Sequence, residues 1–318
     1  MTESGRSPWR WLGYGCLGCV GIILLLILVG GGFTGVAWFQ ARNEKVEDQV
    51  LVREVEPVAV AEASREETIA DVDPEAAVAT SPAVGKVSLR LHQAEVEVRP
   101  GESGEPIRVK ANYDTNSHTL EESYEPGAGD DPWSYTVNFE SSGSSSIIGI
   151  LKRVFGTQPR VTVLLPPDVP IELDLDIHQG GGVVELGGLW LTSATVKSMQ
   201  GGGAFLISEP LREPMETLDV EWSMGGGALV GVANASPRRF DFRSSMGGGE
   251  VDLRGTWLRD ADIRMEFEMG GGAVRLPEGA IIRGLDGFGI EAPGSVELPK
   301  PVLTFEVFAD PDDVQFRR

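Results

Sequence analysis

Five Gly-Gly-Gly triplets punctuate the second half of the chain: Gly180-Gly181-Gly182, Gly201-Gly202-Gly203, Gly225-Gly226-Gly227, Gly247-Gly248-Gly249 and Gly270-Gly271-Gly272, with starts 21, 24, 22 and 23 residues apart. A recurring period of roughly this length marks a repeat architecture, in which one unit cannot bury its apolar face alone and stacks on the next. Collagen is excluded, because glycine does not recur at every third residue.

Aligned on the triplets, the repeats alternate with period two. Seven, five and three residues before the first glycine stand Leu173, Leu175 and Ile177 in the first repeat, Leu218, Val220 and Trp222 in the third, and Ile263, Met265 and Phe267 in the fifth. After the triplets come Val184 and Leu186, Phe205 and Ile207, Val251 and Leu253, and Val274 and Leu276. Each repeat therefore reads as strand, glycine corner, strand, with one buried face. The glycines suit a corner, where φ > 0 and close backbone approach are needed. A phosphate-cradling reading fails, since no Lys-Ser or Lys-Thr follows and each triplet leads into a strand.

The outward position four residues before each triplet carries Asp176, Lys197, Glu221, Arg243 and Glu266. Signs alternate from one repeat to the next. Strands stacked in register hold like positions about 4.8 Å apart, where opposite charges help by roughly 0.2–1 kcal/mol and like charges oppose. The series is what parallel stacking requires.

Alternation begins earlier, at Val87, Leu89 and Leu91, and recurs at Val96 and Val98, Ile107 and Val109, and Tyr135, Val137 and Phe139. It is interrupted at Ser144–Phe155, where Ile147, Ile148, Leu151, Val154 and Phe155 have helical spacing. A short amphipathic helix there would plug an open end of the stack, or contact a membrane or partner through Lys152 and Arg153.

Residues 16–39 form a run of 24 without a charge, with Trp9, Trp11 and Tyr14 before it and Trp38 at its far end. At 1.5 Å per residue this spans a hydrocarbon core of about 30 Å, and it exceeds the apolar region of a cleaved signal. The reading is residues 1–15 as a short cytoplasmic segment, 16–39 as a transmembrane helix, 40–85 as an acidic Ala/Pro/Glu-rich tether whose start could extend the helix as a stalk, and 86–318 as the folded domain. Flanking basic residues do not settle orientation; the long acidic domain favours an extracytoplasmic placement at the cell membrane. Cys16 and Cys19 are the chain's cysteines. They lie at the edge of the apolar run, so no disulfide framework holds the domain. A net charge of −21 argues against nucleic acid, which needs a basic face.

The entry strand Val87–Leu91 leading to Ala94–Val98, the run Arg160–Pro166, and the glycine rungs from Ile171 to Pro277 resemble the bacterial putative-adhesin, or toastrack, domains over roughly residues 86–308. The resemblance implies an all-β, single-stranded right-handed β-helix-like solenoid after a membrane anchor, acting by protein contact as some relatives in envelope-stress signalling do. It carries over no catalytic residues.

A competing possibility is a polysaccharide-binding or polysaccharide-cleaving β-helix using Glu172, Asp174 and Asp176, which share one strand face and could hold calcium or supply an acid and a base. His92, His118 and His178 are scattered in sequence, with no nucleophile arrangement around them. The sequence thus leads to a non-catalytic envelope protein for interaction, adhesion or sensing. Its expected partners are the membrane through the N-terminal helix, and another envelope protein or a surface polymer; no cofactor, metal or nucleic acid is expected.

Overall fold

The computed structural model describes residues 46–53, 83–127, 132–142, 158–290 and 300–318. The expected transmembrane segment 16–39, Cys16 and Cys19, and the expected cap at Ile147–Phe155 lie outside the described residues. Among the described residues no helix is long and apolar enough to cross a membrane. Contacts divide the chain into Met1–Val46 with Gly143–Thr157, and Glu47–Ser142 with Gln158–Arg318; the second unit holds every contact described below.

That unit is all-β and mostly parallel. In chain order the strands are β1 (Val46–Arg53), β2 (Gly85–Pro100), β3 (Ile107–Asp114), β4 (His118–Glu125), β5 (Ser134–Ser141), β6 (Arg160–Leu165), β7 (Ile171–Glu185), β8 (Leu191–Gln200) and β9 (Gly203–Leu206). They continue with β10 (Thr217–Met224), β11 (Gly227–Val230), β12 (Arg239–Met246), β13 (Gly249–Asp252), β14 (Ala261–Met269), β15 (Gly272–Arg275), β16 (Ile281–Arg283), β17 (Val302–Phe308) and β18 (Val314–Arg317).

Two rows result. In the long row the first half of β2 pairs with β5 and with the first half of β7, and β8, β10, β12, β14 and β17 follow, all parallel. In the short row the second halves of β2 and β7 continue into β9, β11, β13, β15 and β18. The triplets lie between the rows, so each turn of chain supplies one strand to each. This is a solenoid-like parallel sheet. At its N-terminal end direction reverses, with β4 antiparallel to β5 and β3 antiparallel to β6.

The inward columns form the core. Leu89, Leu175, Val196, Val220, Phe242 and Met265 stand in register across six strands, each at most 1% exposed. Val98, Val184, Phe205, Leu229, Val251 and Val274 do the same in the short row. Stacking identical positions one rung apart creates a volume problem, because large rings repeat too closely. The column Ser198, Trp222, Ser244, Phe267 meets it by alternating small and large side chains. Trp222 then stacks on Phe205 at 5.9 Å and meets Phe242 edge-on at 5.0 Å, a packing worth about 0.5–1.5 kcal/mol per pair beyond burial.

The corner is built from absent side chains. The first glycine of each triplet has φ between +121° and +145°. At Gly225 and Gly247 a Cβ would also fall inside the preceding rung's Gly201 or Gly225 carbonyl oxygen. In the last two triplets the third glycine serves a different purpose: a Cβ at Gly249 would meet the Trp222 ring, and one at Gly272 the Phe267 ring.

One stretch differs from the sequence reading. Residues 46–53 fall within the segment taken as a tether or helical stalk, yet they form strand β1, paired with β3. Leu51 packs against the core, the Tyr113 hydroxyl donates to Gln49 at 2.8 Å, and Arg53 meets Glu122 at 3.0 Å while lying over the Tyr124 ring. The pair Glu47 and Asp48, the run Val50-Leu51-Val52 and then Arg53 suit an edge strand as well as a solvated chain, and composition alone hid the difference.

Candidate functional site

The solvent face of the long row is a lattice of paired charges. Asp176, Lys197, Glu221, Arg243 and Glu266 stand directly opposite one another on β7, β8, β10, β12 and β14. Arg90 of β2 extends the series at one end. The column is resolved into discrete contacts: Lys197 with Glu221 at 4.0 Å, Arg243 with Glu266 at 3.7 Å, and Arg90 with Asp176 at 3.8 Å. Between β12 and β14 the pattern becomes two-dimensional, with Arg239 opposite Asp262, Asp241 opposite Arg264, and Arg243 opposite Glu266.

Within this lattice the structure places the carboxylates Glu172, Asp174 and Asp176 on the outer face of β7. Arg90 clamps Asp174 through two hydrogen bonds, of 3.2 and 2.6 Å. The bond to Asp174 raises the Arg90 pKa above its ordinary value, against the opposing effect of burial. Asp174 is thereby held in a two-point contact with Arg90, and Glu172 stands opposite Lys86. The sequence reading missed Arg90 because it lies 84 residues from Asp174, on a rung that has no triplet to align. Its outward phase between Leu89 and Leu91 was the available signal.

One pair breaks the lattice. Asp219 of β10 stands directly opposite Asp241 of β12. Arg239 engages Asp241 at 3.1 Å. The Asp219 carboxyl has its pKa raised, first by burial and then by Asp241 and Glu221, with Arg243 and Lys197 opposing. Both carboxylates line a shallow groove with Arg239, Arg243, Arg264 and Glu306.

The short row presents the opposite kind of surface. Its outward column reads Val183, Ala204, Ala228 on β7, β9 and β11, and the next reads Leu206 and Val230 on β9 and β11. Val183 is 45% and Val230 37% exposed. Glu97, Glu185, Glu250 and Asp252 occupy the margins of these columns.

The histidine reading needs correction. His118 does stand apart, against Phe139, but His92 and His178, 86 residues apart in sequence, stack face to face with ring centroids 4.7 Å apart and planes 14° apart. Neighbouring rungs bring together what linear spacing separates.

No family model matches the sequence, and no curated protein matches it. Among solved structures, the chain is similar to a putative cell adhesion protein from Clostridium sporogenes, with 13% identity and a TM-score of 0.36, covering 86% of this chain and 98% of that one. It is also similar to a putative adhesin from Bacteroides fragilis, with 11% identity and a TM-score of 0.34, covering 86% of this chain and 96% of that one. Neither likeness is close enough to carry a residue or a role across.

Proposed function

We propose that this chain is a non-catalytic interaction module of the cell envelope: a right-handed, single-stranded solenoid held outside a membrane by the uncharged segment 16–39. Parallel crossovers are overwhelmingly right-handed, which supports the winding. The observation that supports interaction is the apolar strip Val183, Leu206 and Val230 between the acidic margins Glu97, Glu185, Glu250 and Asp252, since a contiguous apolar patch rimmed by polar residues is a mark of contact surfaces. Adhesion, sensing or scaffolding then depends on what the strip meets.

Two measurements test the reading. Protease added to intact, wall-stripped cells removes the domain if it lies outside, whereas protection until lysis recasts it as a cytoplasmic scaffold. Photo-crosslinking residues placed at 183, 206 and 230 give discrete adducts in cells, while those at 195 and 217 on the long row do not. Equal labelling of both faces overturns the assignment of the strip.

A second reading, binding or cleavage of a polysaccharide, has the Asp219–Asp241 groove in its favour rather than the β7 cluster. Loss of polymer binding or breakdown on Asp219→Asn, with the fold intact, would favour it.

A further inference from the structure

The corner between the two rows carries a column that the interaction reading does not use. His92 and His178 stack on consecutive rungs. The register Ile177 opposite Ser198 places Met199 next. Trp222 opposite Ser198 and Met224 opposite Gln200 place Ser223 after it. The Ser223 hydroxyl donates to the Met199 sulfur at 3.6 Å. Among the described residues neither imidazole side chain has a hydrogen-bond or ion-pair partner, and each faces the other's ring. Alongside runs an amide ladder: Gln93 donates to Gln179 at 2.7 Å, and Gln179 to Gln200 at 3.0 Å. It ties together the same three strands, β2, β7 and β8, whose neighbouring residues carry the two imidazoles and the thioether.

We propose that His92, His178 and Met199 bind one cuprous ion. Two imidazoles and a thioether are a neutral, soft donor set, which selects Cu(I) over hard divalent ions. Structural zinc calls for four ligands, and no cluster of three or more His, Cys, Asp or Glu suited to a metal occurs among the described residues. Rings with centroids 4.7 Å apart on neighbouring rungs are close enough to share one ion. Stacked face to face, the rings hold their in-plane nitrogen lone pairs parallel, so each ring turns about its broad terminal torsion until one of its nitrogens points at the ion, across metal–nitrogen bonds of about 2.0 Å. Methionine, with three rotatable bonds, can swing from Ser223 toward the rings. The glutamine ladder keeps the backbone in place, so binding requires side-chain rotation alone.

The test uses the full chain in detergent with Cys16→Ser and Cys19→Ser, which removes its two thiols. Cuprous ion is titrated anaerobically against a chromophoric chelator. One equivalent per chain is expected to be retained, with X-ray absorption showing nitrogen and sulfur ligands. His178→Gln or His92→Gln should weaken retention by at least about 100-fold, beyond the loss seen for outer-shell changes. Met199→Leu should weaken it about tenfold and His118→Gln not at all, by the same scale. Circular dichroism melts confirm that each variant folds, and either histidine variant serves if the other does not. Failure of the thiol-free chain to retain copper, or retention unchanged by both histidine variants, overturns the site. Unchanged affinity in Met199→Leu overturns the cuprous assignment, because a two-imidazole site without the thioether is equally open to zinc or nickel.

Discussion

The long row and the corner beside it solve one problem by opposite means. In a parallel stack each side chain faces its counterpart on the next rung, and both regions must make that repetition tolerable. The long row does so with side-chain identity: signs alternate outside, from Arg90 to Glu266, and sizes alternate inside, through Ser198, Trp222, Ser244 and Phe267. The corner does so by deletion, since Gly225 and Gly247 have no Cβ to strike the rung before them. Identity-based stacking can absorb an error at one rung, because its pairs are individually weak. Stacking by deletion cannot, because the next carbonyl has nowhere to go.

The largest effect expected is therefore at the corner. Gly225→Ala combines a φ of +121° with a clash against backbone, and should cost about 3–5 kcal/mol, within the range for strained, overpacked sites. Thermal melts followed by circular dichroism would show it, with Gly279→Ala as a neutral control because nothing lies near its Cβ position. A melt for Gly225→Ala within error of wild type would break the comparison. Gly249→Ala sharpens it. There the obstacle is the Trp222 ring rather than backbone, so the substitution should destabilise by about 1–3 kcal/mol in the native background, as overpacking does. On a Trp222→Leu background it should cost far less. Additivity of the two changes, measured in a double-mutant cycle, would show that the third glycine is not reserved for the ring.

The corner was also the legible part. Triplets aligned on themselves yield the rungs, the inward columns and the charge series, because a parallel stack makes sequence period and spatial register the same quantity. Legibility ended where the period did. On β2, Gln93 takes a φ of +59° at the turn where later rungs carry a glycine triplet, so no triplet aligned Arg90 with Asp174 or His92 with His178. β3 and β4 run antiparallel to their partners and belong to no repeat. β1 was hidden in a composition shared with solvated chain.

Charge pairs form the gentler side of the comparison. Arg90→Ala removes a bidentate bond to Asp174, yet Arg90 is 38% exposed. A loss of about 1 kcal/mol is expected, at the upper end for pairs near solvent, and high salt should erase part of it. A loss as large as that for Gly225→Ala would show that the long row depends on single contacts after all.

The smallest effect tests the lattice at its one fault. Asp219 faces Asp241, and its carboxyl pKa is raised in the fold, first by burial. A group whose folded pKa lies above its unfolded value favours the native state while protonated, and detracts from stability once pH rises through and above the folded pKa. Asp219→Asn should therefore stabilise the domain at pH 7, where the aspartate is ionised, and leave it unchanged at pH 3, below the ordinary carboxylate pKa. With about 0.5 kcal/mol for one like-charged cross-strand pair, the melting temperature should rise by about 1–2 °C at neutral pH for a domain of this size. A fall at pH 7 would mean that Lys197 and Arg243, which oppose the shift, outweigh burial. Asp219 would then be a working member of the charge lattice rather than its fault, and the groove would lose the feature that distinguishes it from the rest of the face.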